Sequence, residues 1–202
     1  MMLSFISSRA MLTCHPETYT TAVEQIEARA GWTEDNALAL AYVLKGDLLR
    51  LRIPPPQPPL RADHLWQHTC FEAFVAPEGG VEYWEFNFAP SGQWAAYQFQ
   101  RYRDGISLED DVPAPKITVR NLTDRLDLHA IVYFDRLRTF RSGVHLKLAL
   151  SAVIEDQNGM LSYWALWHPA GKPDFHHRDS FVLGLEPSGV TGINDPGYLG
   201  KR

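Results

Sequence analysis

The sequence predicts an antiparallel β-sandwich with one short N-terminal helix. Apolar residues alternate with polar ones in about ten short segments at fairly even spacing. Tight turns rich in Gly, Pro and Asp separate these segments, and no strand–helix–strand rhythm interrupts them. The length of 202 residues suits one domain, with a core over about 11–186 and a weakly ordered tail over 187–202.

The N-terminal quarter holds the predicted helix. Residues 12–15 form a short strand that ends at a proline, and residues 19–30 follow it. Val23, Ile26 and Ala30 have helical spacing, and Gly31 suits a helix C-cap, so we expect a helix over 19–30. Alternating apolar residues on both sides of Lys45-Gly46-Asp47 then predict a β-hairpin.

The remaining strands follow a proline-rich segment, residues 53–59, which we interpret as an extended connector inside the domain because proline lacks the N–H that a β-ladder needs. Three central strands are predicted to form a meander joined by two Pro/Gly turns. The predicted strands after the connector are 69–75, 81–89, 93–99, 116–120, 126–134, 145–154, 161–167 and 181–185.

Composition excludes several classes of function. The net charge of −5 and the lack of a Lys/Arg run argue against a nucleic-acid partner. No stretch approaches the roughly 18 apolar residues of a membrane span. Two cysteines are too few for a disulfide framework, so we expect a reduced, cytoplasmic protein. No nucleotide or phosphate motif is present, and no cofactor is predicted.

Alternation in the central strands separates a core face from an open face. Trp84, Phe86 and Phe88 share one face and are predicted to be core, whereas Glu85 and Asn87 share the other. Glu72, Glu85 and Asn87 could bind sugar hydroxyls. The ring of Trp66 or Trp94 could then stack on the sugar. Cross-strand pairing on a solvated sheet face explains the same residues without any ligand.

The residues suggest two further kinds of chemistry. Glu72 and Glu85 could face each other as a glycosidase pair, although nothing marks one of them as the acid. The loop 168–180 is dense in polar residues and is typical of a binding loop. Its adjacent His176 and His177 diverge on extended backbone, so no metal site is predicted there.

Three motifs resemble one known family. They read LWxxTCFExF over 65–74, YWEFNxxPSGxWAxY over 83–97 and PDFHxxxSF over 173–181. The chain resembles the bacterial DOMON-like domains, which are related to the family 9 carbohydrate-binding modules. This resemblance implies a jelly-roll sandwich with a ligand cleft on one sheet face. It also implies a set of contact residues: Trp66, Glu72, Glu85, Asn87, Trp94 and Arg178.

The expected function is therefore non-catalytic binding of a small ligand, a carbohydrate or a sugar-containing metabolite. Trp66 and Trp94 are expected to stack on it, and His176 and Arg178 to close the site. Some DOMON domains bind haem through Met and His, so haem held by Met160 and a loop histidine is an alternative. A protein partner also stays open.

Overall fold

The computed structural model describes residues 7–108, 112–134 and 143–187. These parts of the chain form antiparallel β-strands with single turns of 3-10 helix, which confirms the all-β antiparallel prediction. None of the helical turns described is long and apolar enough to cross a membrane. The strands are β1 (Ser7–Cys14), β2 (Val23–Trp32), β3 (Leu38–Gly46), β4 (Cys70–Pro77), β5 (Tyr83–Phe88), β6 (Trp94–Arg101), β7 (Asp104–Leu108), β8 (Lys116–Asn121), β9 (Arg125–Val132), β10 (Leu146–Glu155), β11 (Leu161–Ala165) and β12 (Leu183–Leu185).

Strand β1 joins two halves of the sheet. The strand order is β7-β6-β5-β4-β10-β11-β1-β2-β3-β9-β8, and β12 pairs with the start of β10. Residues Ser7 to Leu12 of β1 pair with β2, and its last two residues, Thr13 and Cys14, pair with β11. One half therefore holds β2, β3, β8 and β9, and the other holds β4 to β7 and β10 to β12.

The two halves share one hydrophobic core. Leu40 and Leu128 from the first half and Phe86 and Leu150 from the second belong to the same buried cluster. Tyr42 on β3 spans the layers: its ring lies 5.1 Å from that of Phe71, and its hydroxyl donates to the Glu72 carbonyl at 2.7 Å. Two layers packed on one core are consistent with the predicted sandwich, while the jelly-roll type stays a prediction.

The predicted helix over 19–30 is wrong, because β2 occupies most of this segment. Its register shifts between Val23 and Gln25, which marks a β-bulge. The bulge brings Val23 and Ile26 to the same buried face, so a strand acquires the three-residue spacing of a helix. Beyond the bulge, Ile26, Ala28 and Ala30 alternate in the core with period two.

The hairpin predicted around Lys45-Gly46-Asp47 is also wrong in its second strand. After β3 the chain forms a 3-10 turn at Leu48–Arg50, and only Leu51 makes an isolated bridge, to Asp156. The proline-rich segment crosses between the two halves as a connector, and Gln57 N–H donates to the Ser91 carbonyl at 2.8 Å. The predicted tail lies beyond the described residues, apart from Pro187.

Trp94 lies in the core, which corrects the expectation that it offers a stacking face. Its side chain is only 6% exposed and packs in the cluster shared by the two layers. The pairing of Trp94 with Phe88 places both rings on the core face, because directly paired residues share a face of the sheet. The Arg61 guanidinium covers the ring at 5.8 Å.

We predict that Trp94→Ala lowers the free energy of unfolding by about 3–5 kcal/mol, since it leaves a large cavity in the core. The matched control is Trp66→Ala, because the Trp66 side chain is 45% exposed and should cost about 1 kcal/mol or less. Urea denaturation of both variants checks this. Equal losses in the two variants would contradict the core position of Trp94.

Candidate functional site

The outer face of β4, β5 and β6 carries a cavity of about 570 Å³. Register explains which side chains reach it. Glu72 and Phe74 of β4, Glu85 of β5, and Tyr97 and Phe99 of β6 all alternate away from the shared core. The sheet therefore provides a rigid floor on which two carboxylates lie among aromatic rings.

Aromatic side chains from outside the meander complete the walls. Trp66 comes from a 3-10 turn, Leu65–Gln67, that starts after His64 with a left-handed φ of 62°. Tyr163 comes from β11, and Phe175 comes from the loop before β12. Phe175 is 8% exposed, whereas Trp66 is half exposed, so Trp66 is the ring that offers a free face to a ligand.

Glu72 is the most buried charged group of the cavity, with 2% exposure. Its Oε2 accepts a long hydrogen bond of 3.5 Å from Ser151 Oγ, and its Oε1 has no partner. Burial, with the nearby charge of Glu85 as a second cause, raises the pKa of Glu72 well above its usual range. A buried carboxyl oxygen without a hydrogen-bond partner costs stability, so a donor that reached it would be bound strongly.

Glu85 is held by two neighbours. Asn87 Nδ2 donates to Glu85 Oε1 at 2.9 Å, and His176 Nε2 lies 3.7 Å from Glu85 Oε2. Burial raises the pKa of Glu85 to about 7, although the Asn87 hydrogen bond and the charge of Arg103 act in the opposite direction. Near neutral pH Glu85 is therefore partly protonated.

His176 is fixed by a polar network at the edge of the cavity. Its Nδ1 lies 2.9 Å from the Tyr83 hydroxyl, and its backbone N–H donates to Asp174 at 3.1 Å. Asp174 in turn accepts from Arg103 at 2.9 Å and from Tyr102 at 2.7 Å. Burial lowers the pKa of His176 to about 4, so the imidazole is neutral near pH 7.

The structure brings four of the seven predicted site residues to the cavity: Trp66, Glu72, Glu85 and His176. Asn87 is fully buried and reaches the site only through its bond to Glu85. Arg178 lines a second cavity of about 450 Å³ and donates to the Gly80 carbonyl at 3.2 Å. His176 lines both cavities.

Sequence reasoning missed Tyr97 and Phe99 on the cavity floor. The sequence signal is the short turn Pro90-Ser91-Gly92 after β5. In the structure Ala89 N–H closes this turn by donating to the Gln93 carbonyl at 2.9 Å. A tight turn of that length pairs Phe88 with Trp94 and so assigns Tyr97 and Phe99 to the face of Glu85. Arg103 and Phe175 carried no such signal, because they lie outside regular pairing.

Among the residues that the structure describes, no Met lies beside a loop histidine to form a haem pair. Met160 lines a different cavity near Thr20 and Arg50, and neither it nor Met11 reaches the cavity of His176. His177 departs from His176 as expected, and its ring lies 5.6 Å from that of Trp167. Among the described residues no group of three or more His, Cys, Asp or Glu side chains could hold a metal ion.

Comparison with known proteins shows a likeness in fold. No protein-family model and no curated protein matches the sequence. A candidate carbohydrate-binding protein from Bacteroides uniformis superposes with a TM-score of 0.63 at 16% identity, over 90% of this chain and 86% of that chain.

Two further similar structures are family 9 carbohydrate-binding modules from Caldicellulosiruptor kristjanssonii. The module in complex with cellotriose has a TM-score of 0.57 at 12% identity, over 96% of this chain and 88% of that chain. The module in complex with glucose has a TM-score of 0.54 at 12% identity, over 89% and 84% respectively. The fold of this chain is therefore that of the family 9 modules, at low sequence identity.

We predict opposing effects of Glu85 and His176 on stability between about pH 4.5 and 7. The folded chain keeps a proton on Glu85 to about pH 7, whereas an ordinary glutamate loses it near 4.5, so ionisation of Glu85 lowers stability as pH rises. His176 is neutral in the folded chain down to about pH 4, whereas an ordinary histidine gains a proton below 6.5, so it raises stability with pH.

The variant Glu85→Gln isolates the first effect. Relative to the parent, it should gain free energy of unfolding as pH rises through this window, by up to roughly 1.4 kcal/mol per pH unit. Urea denaturation at a series of pH values measures the difference. A difference that stays constant with pH, or that falls, would contradict the proposed burial of this carboxyl.

Proposed function

We propose that the chain binds a carbohydrate in the cavity on β4–β6 and catalyses no reaction on it. The observation that carries this proposal is the combination of a half-exposed Trp with two buried carboxylates on one rigid sheet face. Aromatic walls with few, fixed polar groups are typical of small-ligand sites, and a cavity of about 570 Å³ has the size of one. The structural likeness to carbohydrate-binding modules supports the same class of ligand.

Each cavity residue has a part in this proposal. Trp66 offers an aromatic face against which the apolar side of a sugar ring can pack. Glu72 Oε1 and Glu85 Oε2 accept hydrogen bonds from hydroxyl groups, since both oxygens lack a close protein donor. The Nε2 atom of neutral His176 lies 3.7 Å from Glu85 Oε2, so one sugar hydroxyl could hydrogen-bond to both atoms.

The other predicted residues support the site from outside it. Asn87 orients the Glu85 carboxylate, and Trp94 supports the sheet from the core side. Arg178 would contact only a ligand long enough to extend into the second cavity. In this proposal the fold is the jelly-roll type of the DOMON-like domains, and the protein acts in the cytoplasm.

Hydrolysis is the alternative that the paired carboxylates favour. Glu72 pairs with Asn87 and Phe74 pairs with Glu85, so the two glutamates are diagonal neighbours on one face, with Cα atoms roughly 7–8 Å apart. A glycosidase needs one carboxylate charged beside the acid. Both pKa values are raised here, which disfavours a charged partner and supports binding alone. Release of product from activated glycosides by the parent, lost in Glu72→Gln, would overturn this part of the proposal.

The test of binding is thermal unfolding against a panel of monosaccharides, oligosaccharides and nucleotide-linked sugars. A ligand that binds only the folded chain raises the unfolding midpoint. We expect at least one sugar class to raise it, and titration calorimetry then gives the affinity. A midpoint unmoved by every sugar would contradict the proposal.

We predict that Trp66→Ala weakens binding of that sugar by roughly 1–3 kcal/mol, by analogy with the loss of stacking aromatics at other sites. The matched control is Trp167→Ala, because Trp167 is similarly exposed, at 37%, but lies outside the cavity. Calorimetric titration of both variants checks this. Unchanged affinity in Trp66→Ala would remove Trp66 from the site.

A further inference from the structure

The cavity holds two buried carboxyl groups, and its surroundings would balance their negative charge poorly once they ionise. Glu72 is 2% exposed and Glu85 is 5% exposed, yet Glu72 Oε1 has no hydrogen-bond partner. Among the described ion pairs, none joins either glutamate to a Lys or an Arg. Buried carboxylates are stable only with a proton, a counter-ion or several donors.

The nearby cations are occupied or solvated. Arg103 is paired with Asp174 at 2.9 Å and acts on Glu85 only through space. Lys172 lines the cavity but is exposed, and His176 is held neutral near pH 7 by burial. Burial also raises the pKa of four other groups around the pair, which therefore stay uncharged: Tyr42, Cys70, Tyr97 and Tyr163.

Aromatic rings surround the same two carboxylates. Phe74 and Phe99 lie on the cavity floor, and Phe175 and Trp66 lie on the walls. The faces of such rings carry partial negative charge and attract cations. Both the carboxylates and the rings therefore favour a positive group at the centre of the cavity.

We propose that the preferred ligand carries a protonated amine, and that its chemical class is an amino sugar with a free ammonium group. The ammonium would donate to Glu72 Oε1 and to Glu85 Oε2, the two carboxylate oxygens that lack a close protein donor. This inference rests on the proposed carbohydrate function and specifies the ligand of the same site. With a neutral sugar bound, Glu72 and Glu85 would have to stay protonated to avoid an unbalanced negative charge.

An ammonium group suits the geometry better than a metal ion. Of the described residues that line the cavity, two are acidic, Glu72 and Glu85, and the described residues contain no group of three acidic, His or Cys side chains that could hold a metal. Ammonium needs only two or three acceptors, and charge-assisted hydrogen bonds to carboxylates are among the strongest in proteins.

The experiment titrates the intact protein with D-glucosamine, D-glucose, N-acetyl-D-glucosamine and cyclohexylamine in a calorimeter. At about pH 7 we expect glucosamine to bind at least about tenfold more tightly than glucose or the acetylated sugar, because only its amine is charged. Glucosamine should also release protons from the glutamate pair, which titration in buffers of different ionisation enthalpy detects. At about pH 5 the pair keeps its protons and the preference should shrink.

The variant Glu72→Gln removes one charge at nearly constant size and should lose most of the preference for glucosamine. Glu85→Gln gives a second, independent variant with the same expected loss. The matched control is Glu24→Gln on β2, because Glu24 is exposed and outside the cavity, and it should keep the preference.

The outcomes separate this inference from the proposed function. Equal affinity for glucose and glucosamine would overturn the amine preference and leave carbohydrate binding intact. Binding of cyclohexylamine without either sugar would overturn the amino-sugar class together with the carbohydrate function. A preference for glucosamine that survives in both Glu72→Gln and Glu85→Gln would place the ammonium elsewhere and overturn the proposal.

Discussion

Strands β4, β5 and β6 are covered on both faces, and this constraint determines the site. One face packs into the core shared by the two layers, where Phe86 and Trp94 lie, and the other face forms the cavity floor. A slip of one residue in register would move Glu72 and Glu85 into the core and their apolar neighbours into the cavity. Burial of unpaired charge makes such a slip very unfavourable, so the core and the cavity specify the same register.

Period-two alternation in the sequence predicted the central strands and the opposite faces of Trp84 and Glu85, as the structure has them. It failed where a local irregularity changed the period, since the bulge in β2 mimics helical spacing. The face of Trp94 depends on its pairing with Phe88 across the turn, which alternation within one strand does not reveal. The position of Arg103 depends on Asp174, far along the chain. Alternation along a strand predicts which face of the sheet a side chain lies on. Contacts between segments that are distant in sequence are known only from the folded structure.

The electrostatics of the cavity follow from its location between sheet and loop. The loop that carries Phe175 and His176 covers the sheet face, so water reaches the glutamates poorly. The same cover that raises the pKa of Glu85 lowers that of His176, because burial disfavours the charged form of either group. The site is thus close to neutral when empty, and a ligand's charge can change that protonation.

Strand β1 belongs to both halves of the sheet, and this has a consequence for how the chain opens. Its first part is bonded to β2 and its last two residues to β11. Detachment of β1 therefore removes partners from both layers at once. Amide hydrogens of β2 and β11 that face β1 should exchange with solvent as one cooperative unit, although these strands lie in different layers. Fraying of the N-terminal strand would in this way reach Tyr163 on β11, at the wall of the cavity.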